Sequence, residues 1–195
     1  YKDKIHWFWG DTNRPAYPLG NFQVPGATSS LTDDPDVGVN LQYFIDGKGF
    51  AKETMKMPGK GPTWMVSLVP LEDKLYASYV KIEAPMKVYA RGLAVWDDKE
   101  NEFKQVVDVD MKAPIFPAGN AFVHEGHVYF AHPFPVTRVK ADAKALLNVD
   151  AYETFTCLKA KDEVDRDNQG HLRYAWRKNA PVLGPQEENR LVKSG

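Results

Sequence analysis

Apolar and polar residues alternate over short stretches along most of this chain, with the period of two that a strand presents. Lys4–Trp9, Trp64–Val69, Leu75–Val80, Phe103–Val109, Ala121–His124, Val128–His132 and Leu172–Trp176 are rich in β-branched and aromatic residues. Gly, Pro, Asp and Asn punctuate them. Helical periodicity is close to absent; the one stretch that reads as helix is Ala141–Leu147, after Arg138-Val139-Lys140. Without sustained βα alternation a parallel sheet is not expected, and the chain reads as all-β.

Turn residues set the local connections. Glu72-Asp73 joins Met65–Leu71 to Lys74–Lys81, and Glu125-Gly126 joins Ala121–His124 to His127–Phe134, each as a two-residue antiparallel hairpin. Asp97–Asn101 turns Gly92–Trp96 into Glu102–Val109, and Asp167-Asn168-Gln169-Gly170 turns the chain into His171–Trp176. Trp64–Leu71, Leu75–Lys81, Arg91–Trp96 and Phe103–Val109 form one set of four strands. Asn120–His124, Val128–His132, Thr154–Leu158 and Leu172–Trp176 form a second. Ile5–Gly10 has the look of another second strand whose own first strand is missing. Four-strand groups separated by long gaps predict a β-propeller, with a sandwich or barrel as the rival arrangement.

The expected division is a partial blade and connection over 1–60, a blade over 61–112, a blade over 113–178, and a connection over 179–195. A propeller closes with 4–8 blades, so the remainder of the ring is expected on a further segment or a second chain.

Composition narrows the function classes. The 195 residues carry 25 basic and 26 acidic side chains, a formal charge of −1, which argues against nucleic-acid binding through a basic face. No apolar run reaches the ~20 residues of a membrane span. A single cysteine excludes an internal disulfide framework and any multi-cysteine metal site. At 43% hydrophobic and 12% aromatic, the chain has the make-up of an ordered globular protein.

Trp7-Phe8-Trp9-Gly10-Asp11-Thr12-Asn13-Arg14 is the most distinctive run. With Gly61-Pro62-Thr63-Trp64, Leu75–Lys81, Arg91-Gly92-Leu93-Ala94, Arg138-Val139 and Tyr152–Leu158, it resembles a bacterial family of uncharacterised five-bladed propellers similar to glycoside-hydrolase propellers. That resemblance implies a five-bladed ring, a carbohydrate-active and glycosidase-like function, and a periplasmic or extracellular location.

In a propeller, starts of first strands and ends of second strands meet at one rim. The rim would collect Asp11, Thr12 and Arg14, then Trp64 with Tyr79 and Lys81, then Asn120 with His132 and Arg138. Aromatic faces stack on sugar rings while Arg, Lys and Asn donate to hydroxyls or sugar carboxylates, so a glycan or other small ligand is the expected partner. Asp11 is the candidate catalytic carboxylate, expected to be partly buried along with Arg138; the alternative is an Asp that holds its own turn. Hydrolysis usually needs a second carboxylate, and Glu53, Glu83 and Glu153 are candidates not assigned to that rim. A non-catalytic module binding glycan or protein at the same rim is the other reading.

No cofactor is expected. His124, His127 and His132 cannot share one ion, because the first two face each other at a hairpin end and His132 lies about 16 Å along the strand. Asp165–Gly170 imitates part of a calcium loop but has Trp176 where the twelfth-position acid belongs, so it reads as a turn and a structural calcium ion is not indicated. Asp33-Asp34-Pro35-Asp36 is acidic enough to attract a cation, yet reads as a hydrated loop. Cys157 reads as a small core residue. Gly59-Lys60-Gly61-Pro62 lacks the spacing of a phosphate-binding loop.

Overall fold

The computed structural model describes residues 1–14, 17–22, 24–132, 134–160, 163–184 and 189–191. The chain is all-β, built of antiparallel sheets, none closed on itself among the described residues. It divides into two compact units, Tyr1–Met111 and Lys112–Gly195.

In the first unit, strand β1 (Lys4–Phe8) precedes the hairpin of β2 (Thr12–Arg14) and β3 (Tyr17–Phe22), and β4 (Gly26–Ser30) and β5 (Gln42–Tyr43) follow. A three-stranded sheet runs in the order β1-β4-β5, so the opening aromatic strand pairs with a segment later in the chain. Next come β6 (Thr63–Leu71), β7 (Lys74–Glu83), β8 (Lys87–Asp97) and β9 (Glu102–Val109), a meander in sequence order. The Glu72-Asp73 and Asp97–Asn101 turns fall where the sequence put them. Glu72 and Asn101 take positive φ values of 52° and 49° there.

Phe8 on β1, Trp96 on β8 and Phe103 on β9 meet edge-on or tilted with ring centroids 5.0–5.4 Å apart. Met55, Met57, Leu75, Ala77 and Tyr79 close around them. Flexible thioethers fill the gaps that flat rings leave.

The second unit holds β10 (Asn120–His124), β11 (His127–Ala131), β12 (Pro135–Lys140), β13 (Glu153–Thr156), β14 (Leu158–Ala160), β15 (Glu163–Val164) and β16 (Ala175–Lys178). Five of them form one sheet in the order β10-β11-β12-β13-β16, and β14 pairs with β15 in a separate ribbon. This corrects the second four-strand set in three ways. Pro135–Lys140 is a strand inserted between the expected second and third members. Thr154–Leu158 breaks at Cys157 into two strands serving different sheets. The last strand begins at Ala175, with Leu172 held in an isolated bridge to Arg166. A Pro at the first position of a strand removes no ladder bond that the strand needs, so β12 is compatible with its sequence.

The predicted helix is present as α1 (Ala143–Leu146), capped by Asp142, whose carboxylate accepts from the Ala145 amide at 2.8 Å. One face of the five-stranded sheet is packed: Val128, Phe130, Thr137, Val139, Thr154 and Thr156 are all buried. Tyr152 seals that side, with its ring 5.9 Å from Phe130 and its hydroxyl donating to the Leu146 carbonyl at 2.7 Å. Cys157 and Leu158 are fully buried beside Leu191.

Candidate functional site

The residues expected at one rim have different surroundings. Asp11 is exposed in the link between β1 and β2, not partly buried. Beside it, Trp9 is 36% exposed and its ring lies 5.9 Å from that of Tyr43. Arg14 ends β2; its side chain lies outside the described residues. Trp64, Tyr79 and Lys81 share one end of the β6–β7 hairpin, but on opposite faces. Trp64 is paired with Val80, whereas Tyr79 and Lys81 are paired with Met65 and Thr63.

Tyr79 and Lys81 are buried. The Tyr79 hydroxyl has its pKa pushed up to about 12 by burial, with Asp108 adding to it. The Lys81 ammonium donates to the Met57 carbonyl at 3.3 Å, the Gly61 carbonyl at 2.7 Å and Thr63 Oγ1 at 3.1 Å. Those three bonds use all its protons, and Lys81 serves as a tie for the 57–63 segment. Burial lowers its pKa, against the opposing charge of Glu53. At the same hairpin end a hollow of about 600 Å³ is lined by Pro62, Ile82, Glu83, Pro85, Met86 and Tyr89. Glu83 there pairs with Lys87 at 3.1 Å.

In the second unit, Asn120 and His132 are exposed at one end of the β10–β11 hairpin. His124 and His127 are directly opposed across the turn, as their spacing predicted. Asp165 pairs with Arg177 and Lys159, and Asp167 Oδ1 accepts from the Gln169 and His171 amides, so the acidic stretch is a turn held by its own backbone. Among the described residues no group of three or more His, Cys, Asp or Glu side chains is arranged to hold a metal ion.

Arg138 is the one expected site residue at the centre of a larger arrangement. Strand register aligns Phe122, Tyr129, Arg138, Glu153 and Lys178 in a row across all five strands. Because side chains alternate along a strand, this row lies on the face opposite Phe130, Val139 and Thr154. His124, His127 and Lys140 extend the same face in one direction, Phe155 and Trp176 in the other.

The aromatic rings form a connected strip. Phe122 stacks on Tyr129 with centroids 5.3 Å apart and planes 11° from parallel, and Tyr129 meets Trp176 edge-on at 5.6 Å. Phe155 lies 5.3 Å from Trp176 and 5.6 Å from Tyr174. Three of these rings stay open to solvent: Phe122 at 46%, Phe155 and Tyr174 at 42%.

Arg138 sits in the strip with its guanidinium carbon 4.3 Å from the Trp176 ring centre and its Nε donating to Glu153 at 2.8 Å. Burial alone would lower the Arg138 pKa; hydrogen bonds to Glu153 and Tyr129 outweigh it and raise it. The result is a sheet face with rings for stacking, a fixed acceptor and a fixed donor. Alternation of Phe122 with His124, His127 with Tyr129, Glu153 with Phe155, and Tyr174 with Trp176 and Lys178 is the signal in the sequence that marks it.

Compared with known proteins, the chain matches no family model and no curated protein.

Proposed function

We propose that this chain is part of a carbohydrate-active, five-bladed β-propeller of an exported protein, and that its second unit binds glycan without hydrolysing it. The observation that carries this reading is the strip of Phe122, Tyr129, Trp176, Phe155 and Tyr174 around the Arg138–Glu153 pair. Sugar rings offer apolar C–H faces to aromatic side chains and hydroxyls to a bidentate donor and a carboxylate. A buried protein interface would instead be depleted of charge at its centre, where this strip has an ion pair. The successive antiparallel meanders β6–β9 and β10–β13 support the blade reading.

Hydrolysis is the second reading, favoured by the exposed Trp9–Tyr43 pair next to Asp11. It needs a second carboxylate about 5–9.5 Å away from the first.

A glycan array followed by tryptophan-fluorescence titration tests the proposal. Phe122→Ala and Tyr174→Ala are expected to weaken glycan binding about fivefold or more each, the loss of one stacking contact of ~1 kcal/mol. Equal binding by wild type and both variants would overturn it. Release of reducing ends by the wild type and not by Asp11→Asn would move the assignment to the hydrolase.

A further inference from the structure

We infer that the glycan bound by the β10–β16 face is acidic, carrying carboxylate or sulfate groups on its sugars; this rests on the glycan-binding reading above. The three registered rows of that face contain the cations Arg138, Lys140 and Lys178 and the single carboxylate Glu153. Glu153 is engaged by the Arg138 guanidinium at 2.8 Å, so the pair presents little net charge and the two lysines set the sign of the face.

Lys140 and Lys178 are both exposed, and they flank the Arg138–Glu153 pair along one edge of the aromatic strip. Lys178 aligns with Arg138 two strands away, and Lys140 stands two residues further along β12. Strand spacing and rise then separate their backbones by about 12 Å. Anionic groups repeated along a polysaccharide can meet both ammonium groups while the intervening sugars cross the Arg138–Glu153 pair and neighbouring sugars stack on the adjoining rings. A neutral chain gains only the stacking.

Single-stranded nucleic acid also combines anions with flat rings. Glu153 in the middle of the row and the formal charge of −1 on the chain disfavour a continuous phosphate backbone. The glycan is the better match.

The test compares tetragalacturonate, cellotetraose and a fifteen-residue oligothymidylate against the full chain, with K140Q/K178Q as the variant. Tetragalacturonate is expected to bind about tenfold or more tighter than cellotetraose at 50 mM NaCl, and to lose that advantage in K140Q/K178Q and at 500 mM NaCl. Equal affinity for the two oligosaccharides, with both weakened by Phe122→Ala, would overturn the acidic preference and leave the glycan reading standing. An anion preference that K140Q/K178Q leaves unchanged would overturn the placement. Binding of oligothymidylate alone, or of none of the three, would overturn both. Neither lysine is packed in the core, so the variant tests charge and not folding.

Discussion

His6 stands among four aromatic rings, those of Tyr1, Phe8, Phe44 and Trp96, with centroids 5.2–6.4 Å from its own. Burial lowers its pKa, and the N-terminal ammonium adds to that; Asp98 and the Lys4 backbone oppose it. The folded state therefore favours the neutral ring, while the unfolded chain takes up a proton near pH 6.5. Stability from this site is fully present above about pH 6.5 and is lost as the pH falls through the window below it. The urea midpoint is expected to drop between pH 7.5 and pH 5.5, and to drop less in His6→Gln. Equal drops in the two proteins would remove His6 as the cause. At this scale the sequence was legible for residue type and not for facing. Leu75–Ile82 is apolar or small at nearly every position, so alternation could not tell that Lys81 points inward to Thr63. On β12, Thr137 and Val139 alternate with Arg138 and Lys140, and Arg138 does face outward.

Strand pairing in the β6–β9 meander depends on a position without a side chain. Gly92 on β8 lies between Tyr79 of β7 and Asp108 of β9. A Cβ there would stand 2.5 Å from the Tyr79 hydroxyl and 2.5 Å from the Val107 carbonyl oxygen. The phenol is buried and the carbonyl belongs to the β9 backbone, so neither can give way without opening the meander. Gly92→Ala is expected to destabilise the protein by about 1–3 kcal/mol in urea unfolding, in the range of overpacked cores. An unchanged midpoint would mean that β8 and β9 separate easily. Within the β6–β9 meander the sequence announced the first and last hairpins, because Glu72-Asp73 and Asp97–Asn101 carry their own turn chemistry. It hid β12, whose opening Pro and basic residues resemble the approach to a helix. It also hid β4, whose small residues Gly26, Ala27, Thr28 and Ser29 lack the usual strand composition, yet pair with all of β1 and are buried.

Across the whole chain, each unit contains buried core residues of its own. Trp96, Phe103, Met55 and Met57 serve the first; Phe130, Tyr152, Val139 and Leu158 serve the second. Aromatic residues help to fill the core of both units, and in Lys112–Gly195 a second set lines an open sheet face. The fully buried Cys157 makes the second unit measurable by itself. Its thiol is the single one in the chain, so a thiol-specific dye can label the protein at one point and report one event. In native buffer the dye is expected to react on the order of a hundredfold more slowly than in 8 M urea, at a rate set by how often the Lys112–Gly195 unit opens. Immediate labelling would mean that this unit opens without unfolding. A residue with no chemistry assigned to it thereby becomes a clock for half of the molecule.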